Sequence, residues 1–192
     1  MNTVKFAAAA LVAAAVCAPV CRAPGDQHRL PGASGESEGP LPPLNNEVPE
    51  EVNLRASEIA EANGVKILFN PAPARSVPEA LKRRVSLWSP NEFEASALGE
   101  VGGEVVTTLG AKGCRIRSTG EVIPAPPAEA VDSTGAGDTF NGVLAVRLAE
   151  GASLRDACIV ANAAASQSVA ARYVMPSIPY RGGRRSLLGG RP

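Results

Sequence analysis

Hydrophobic positions change their rhythm several times along this chain. In "PEEVNLRASEIAEANG" (49–64), Val52, Ala56, Ile59 and Ala60 recur at helical spacing. Pro49 and Gly64 are start and stop signals, so the pattern predicts a helix that buries those four residues. "VKILFN" (65–70) is short, apolar and closed by the breaker "NPAPA", which predicts a buried strand. "VSLW" (85–88) reads as a second strand and "NEFEASAL" as a short helix. "EVVTTLG", then "CRIRS" with alternating faces, then "EAVDS" predict three more strands. Two helices follow. One, 138–150, carries Phe140, Val143, Leu144 and Leu148 on one stripe and stops at Gly151. The other, 154–171, starts from Ser153 as N-cap and is dense in alanine. Strands alternating with helices predict an α/β fold with a largely parallel sheet, whose ligands sit at the carboxyl ends of the strands.

The flanks lack this rhythm. Residues 1–23 form an apolar leader with one lysine, similar to a signal peptide. A cut after Ala18 or Ala23 would leave a proline next, and the run is too short to span a bilayer. A cytoplasmic or also nuclear destination is expected, with secretion the alternative that the leader keeps open. Residues 24–43 are Pro, Gly, Ser and charge, expected as a disordered linker. Residues 44–181 hold the periodic elements, and 182–192 form a Gly/Arg tail.

Composition narrows the chemistry. The chain has 192 residues, 45% of them hydrophobic, so it is globular, and its formal net charge of zero suggests neither nucleic acid nor a membrane surface as partner. Its single histidine, His28, lies in the linker, which argues against a Ser-His-Asp hydrolase or a His-ligated zinc site. Of four cysteines, none forms a CxxC pair, and Cys114 and Cys158 read as buried apolar residues.

The polar loops follow strands: "SPNEFE" after "VSLW", "TLGAKG" after "EVV", "DSTGAGD" after "EAV". On one sheet edge they would build one site. In the last, Gly135 and Gly137 let backbone N–H groups approach an anion at a helix mouth. If a phosphoryl group sits there, Asp138 is placed to take the proton of an attacking hydroxyl. Alone, "TGAGD" also describes a tight turn with Asp138 as an ordinary helix-start residue. Asn91 and Glu94, at i and i+3, share a helix face and suit water-mediated Mg²⁺, or a solvated helix start. "TLGAKG" suits a nucleotide loop or a hairpin to "CRIRS".

Together "NPAPAR", "PNEFEA", "TLGAKG", "VDSTGAGDTFNG" and "ANAAASQSV…PSIP" resemble, in order and context, the ribokinase/phosphofructokinase-B (PfkB) sugar kinases. The resemblance implies a Rossmann-like, largely parallel sheet flanked by helices. It also implies ATP-dependent phosphorylation of D-ribose to ribose 5-phosphate, "NPAPAR" and "PSIPYR" pointing to the ribose branch. By position it makes Asp138 the catalytic base and Gly135, Ala136 and Gly137 the anion hole. Asn91, Thr108, Leu109, Gly110, Ala111, Lys112, Gly113, Gly137, Asp138 and Asn162 match nucleotide-binding positions. Glu47 and Asp138 match ribose contacts, and Glu94 a water-mediated Mg²⁺ ligand. Asp132, Thr134, Ser168, Ala171, Tyr173 and Ser177 match the K⁺ loop, although Tyr173 stands where the family has a glycine. ATP, Mg²⁺ and K⁺ are the implied cofactors. The family's front half, with most ribose contacts and the β lid that forms the homodimer, has no counterpart, so loss of that dimer and little activity alone are expected. Between Leu98 and Glu104 only "GEVGG" replaces a family helix. A non-catalytic nucleotide-binding remnant, or a kinase for a related sugar or nucleoside, are the alternative functions.

Overall fold

A computed structural model describes residues 43–170. In chain order they form β1 (Pro43–Asn45), α1 (Glu50–Ala62), β2 (Leu68–Asn70), α2 (Glu79–Lys82), β3 (Leu87–Trp88), α3 (Glu92–Leu98), β4 (Glu104–Thr108), β5 (Cys114–Ile116), β6 (Val122–Ile123), α4 (Ala136–Ala149) and α5 (Leu154–Ser168). The six strands make one sheet in the order β1-β2-β3-β4-β5-β6. The first four run parallel, and β4-β5-β6 form an antiparallel meander. This is the expected α/β architecture with a mostly parallel sheet.

Both faces of the sheet are buried, and the strand period of two divides them. Leu68, Leu87 and Val106 join Phe140, Leu144 and Ala161 of α4 and α5 in one core. Their neighbours Phe69, Trp88 and Val105 join Ala60, Leu81 and Leu98 of α1, α2 and α3 in the other. Successive side chains point to opposite faces, so an apolar dipeptide such as Leu68–Phe69 serves both layers at once. Phe69 and Trp88 meet in a tilted arrangement with ring centroids 5.3 Å apart, and the indole N–H donates to Gly102 O at 3.0 Å. The α4 stripe behaves as expected: Phe140 and Leu144 are buried, and Val143 and Leu148 pack beside them.

Four expectations need correction. α1 forms where expected, but its buried residues are Asn53, Ser57 and Ala60, while Val52 and Ile59 are about half exposed. The polar face can be buried because Asn53 Nδ2 donates to Asn45 O at 2.7 Å and Ser57 Oγ to Leu54 O at 2.7 Å. "EAVDS" makes no strand; the N–H groups of Val131 and Asp132 both donate to Val169 O, at 2.8 and 3.1 Å, at the end of α5. The last helix stops at Ser168, short of 171. β1 begins at Pro43, inside the segment expected as linker, and β6 and α2 were not anticipated. No helix among the described residues is long and apolar enough to cross a membrane. The leader, most of the linker and the tail lie outside the described residues.

Candidate active site

The mouth of α4 is built by glycine. Gly135 caps it in the left-handed conformation, at φ 80°, without any side-chain cap. Its carbonyl accepts both the backbone N–H and the Oγ1 of Thr139 at 2.9 Å, and Thr139 is fully buried. Ala136 N–H donates to Ser133 O at 3.2 Å. The next two N–H groups, on Gly137 and Asp138, belong to a first turn, where helices have no internal acceptor. A Cβ placed on Gly137 would meet nothing within 4 Å, and its φ is not positive. Neither backbone conformation nor packing therefore demands glycine at 137. The N–H groups of Gly137 and Asp138 lie at the positive end of a helix, which suits an anion.

Asp138 stands in that turn. Burial, and then the negative charge of Glu47, push its carboxyl above the ordinary carboxylate range. α4 packs against β1, whose following loop carries Glu47. Two hydrogen-bonding asparagines hold Glu47 in place. Asn45 Oδ1 accepts from Glu47 N–H at 3.1 Å. Asn46, buried, donates its side-chain N–H groups to Pro71 O and Pro73 O at 3.3 and 3.1 Å, and its backbone N–H to Ala72 O at 3.0 Å. "NPAPA" thus anchors the end of β1 as well as ending β2. The sequence shows it as a breaker and as a family motif, and gives no sign of the bonds from Asn46.

Asn91 and Glu94 form a capping box at the start of α3. Asn91 Oδ1 accepts from Glu94 N–H at 2.8 Å, and Glu94 Oε2 accepts from Asn91 N–H at 2.9 Å. Glu94 is buried, so the expected alternative of a solvated helix start does not hold for it. The N-x-x-E spacing was itself the signal for the box. Thr108 N–H donates to Pro90 O at 2.8 Å, which brings the end of β4 against the start of α3.

The segment 108–113 is a hairpin turn and an exposed loop at once. Gly110–Lys112 make a 3-10 turn, and Leu109 N–H donates to Gly113 O at 2.7 Å. Gly110, Ala111 and Lys112 are exposed, whereas Leu109 and Gly113 are buried. At Gly113, φ is 98° and a Cβ would lie 2.0 Å from Ile123 O. This glycine is required by the close approach of β6. Asn162 is buried as well: its Nδ2 donates to Ile123 O at 2.9 Å and to Cys114 Sγ at 3.5 Å, so the amide fastens α5 beneath the hairpin.

Of the residues matched to the cation loop, three are described. Asp132 Oδ1 accepts from Thr134 N–H at 3.0 Å, and Ser168 Oγ, buried, donates to Ala165 O at 2.8 Å. The bonds to Val169 O bring the two segments side by side. Ala171, Tyr173 and Ser177 lie outside the described residues. Among the described residues no three His, Cys, Asp or Glu side chains cluster to hold a metal ion.

The mouth of α4 thus combines open backbone N–H groups with a half-buried carboxylate, Asp138. A model of the pfkB family of carbohydrate kinases matches residues 38–181. The chain belongs to this family. It is similar to the ribokinase of Lactococcus lactis, with 34% identity over 78% of this chain and 59% of the relative. With the ribokinase of Bacillus subtilis, identity is 35% over 76% of this chain and 54% of the relative. With the mouse ribokinase it is 37% over 70% and 50%. Among solved structures, the ribokinase of Arabidopsis thaliana complexed with ribose and ATP superposes with a TM-score of 0.65 and 30% identity, over 71% of this chain and 52% of that one. The Thermotoga maritima ribokinase gives 0.67 and 31%, over 76% and 55%. The fold of this pfkB chain is therefore ribokinase-like, and the chain spans about half the length of the curated relatives it matches.

Proposed function

We infer that this chain carries the nucleotide- and phosphoryl-handling part of a ribokinase, which transfers a phosphoryl group from ATP to the 5-hydroxyl of D-ribose. The observation that carries this reading is the pairing of Asp138, its carboxyl raised by burial and by Glu47, with an open helix mouth. A carboxylate with a raised pKa is the stronger base for a sugar hydroxyl. Of the anion hole expected at Gly135, Ala136 and Gly137, the Ala136 N–H is turned to Ser133 O, so in the reaction the N–H groups of Gly137 and, in its place, Asp138 hold the oxygens of the transferring phosphoryl group. Glu47 and Asp138 receive the ribose, and Asp138 accepts the hydroxyl proton as the new O–P bond forms. Gly110, Ala111 and Lys112, exposed beyond β4, receive the nucleotide. Catalysis of this kind rests on alignment and on donors for the developing charge.

Magnesium in nucleotide sites is held by one or two carboxylates plus phosphate oxygens and water. The single buried carboxylate of Glu94 fits that pattern, and when bound the ion would neutralise phosphate charge. K⁺ at the Asp132 loop belongs to the same reading, with Asp132 and Thr134 at its described side. The need for ATP supports a cytoplasmic or also nuclear location over secretion.

Half-length coverage of the relatives favours a second reading for the chain on its own: it binds nucleotide but turns over little ribose. Calorimetry with MgATP on the purified chain, together with ribose-dependent ADP release in Mg²⁺ and K⁺, separates the two. ATP binding with little turnover is expected. Failure to bind ATP would overturn the nucleotide-binding reading, and turnover close to that of a complete ribokinase would overturn the second.

A further inference from the structure

One buried side-chain pair lies between the two arms of the site and has no part in the chemistry above. Ser89 Oγ donates to Asn141 Oδ1 at 2.5 Å, across 52 residues of sequence, and the two residues are 2% and 5% exposed. Ser89 directly follows β3 and stands two residues before Asn91, whose capping box orients Glu94. Asn141 stands one turn after Asp138 on α4, adjoining Thr139 and Phe140. Buried side-chain pairs between distant segments are a small class of protein hydrogen bonds, and each removes two polar groups from water in return for a defined distance. β3 already has its backbone partners in β2 and β4, and α4 has its apolar stripe, Phe140 and Leu144. Apolar packing tolerates small slides, whereas a short hydrogen bond fixes a direction and a length.

We propose that the Ser89–Asn141 hydrogen bond is a positioning link, setting the distance between the Asn91–Glu94 cap and the Gly135–Asp138 helix mouth. The proposal rests on the reading of these two arms as one nucleotide and phosphoryl site. One arm handles the charge near Glu94, and the other presents the N–H groups and Asp138. A phosphate chain bridging them needs both at a fixed separation. Neither residue touches the ligand. Ser89 and Asn141 act through the elements that they join.

The experiment compares the native chain with Ser89→Ala, Asn141→Ala and the double variant. Three quantities are measured: unfolding midpoint, backbone amide NMR shifts, and MgATP affinity by calorimetry. In the ligand-free chain, Ser89→Ala is expected to shift the amide signals of Gly137 and Asp138, and Asn141→Ala those of Asn91 and Glu94. Each single variant should weaken MgATP binding by about fivefold or more, the low end of a typical coupling between sites. The double variant should be no weaker than either single one, because the same bond is lost. A purely structural role would lower the unfolding midpoint and leave affinity unchanged, and that result overturns the proposal. So does additive loss of affinity in the double variant, or amide shifts confined to the substituted element. If the native chain binds no MgATP, the functional reading fails by itself, and the ligand-free amide shifts still decide whether the two arms are coupled.

Discussion

At the scale of single residues, Asp138 combines two environments that pull against each other. The helix mouth attracts its negative charge, typically by about 0.3–1 kcal/mol. Burial and Glu47 repel it, and the upward shift of its pKa says that they prevail. A carboxyl whose folded pKa exceeds its unfolded one is bound to its proton more tightly in the folded state. Its contribution to stability is therefore full at low pH and falls as pH rises from the ordinary carboxylate range through the raised value. Asp138→Asn removes this ionisation. The variant should melt higher than the native chain at neutral pH, and the gap should close in acid below the ordinary aspartate range. Melting curves across that range check it, and a variant no more stable at pH 7 would mean that the carboxylate is well accommodated. Asp138 was legible because a glycine loop and a helix start flank it in sequence. Asn46, Ser89 and Asn141 were not, since each acts on a partner far away along the chain, and sequence spacing carries no trace of such a bond.

At the scale of elements, two glycines of the site behave oppositely, and substitution tells them apart. Gly113 has a positive φ and lies against Ile123 O and Ala125 N. Gly113→Ala meets backbone strain of about 1–3 kcal/mol, with the clash in addition, and should lower the denaturation midpoint sharply. Gly137 has open space and ordinary helical geometry. Gly137→Ala should hold or raise stability, by up to about 1 kcal/mol from helix propensity, while weakening ATP binding because a methyl group crowds the open N–H groups. Unchanged affinity for ATP would remove the anion-hole role from Gly137. The capping box gives a third case. Glu94→Gln keeps an acceptor at the N3 position, where Gln also serves, so stability should change little, while the Mg²⁺ dependence of ATP binding should weaken. Equal Mg²⁺ dependence would leave Glu94 a structural residue only. The helices were legible from their stripes and caps, as Phe140–Leu144 and Ser153 show. α1 misled because Asn53 and Ser57 are buried through hydrogen bonds, so its apolar pattern pointed to the wrong face. "EAVDS" misled because β-branched content says nothing about which acceptor the backbone finds, and here Val169 O takes two N–H groups.

At the scale of the whole molecule, the sheet and the site tell the same story. Among the described residues β1 is an edge strand, with β2 on one side only. The loop that leaves it carries Glu47, the one described ribose-side candidate besides Asp138. An edge strand presents unpaired N–H and C=O groups and is a ready template for another strand. The matched relatives are about twice as long as the portion that this chain covers. Two carboxylates alone hold a small polar sugar poorly against its lost freedom, and unaligned hydroxyls do not react at a useful rate. The family resemblance was legible from motifs that cluster at the strand ends. Of a ribose side only the candidates Glu47 and Asp138 were legible in the sequence. If the phosphoryl machinery is intact and only alignment of the sugar is lacking, then adding the part of a ribokinase relative that lies outside the matched region should restore turnover in trans. Ribose-dependent ADP release should appear when that fragment is mixed with this chain, and stay near background with either alone. In the mixture, Asp138→Ala should lower the rate by the roughly 10²–10⁴ expected of a lost general base, while MgATP still binds. A mixture that binds ATP and ribose yet remains inactive would place the defect in the phosphoryl machinery itself, at the helix mouth of α4 or the Glu94 cap. A restored rate indifferent to Asp138→Ala would take the role of base away from that residue.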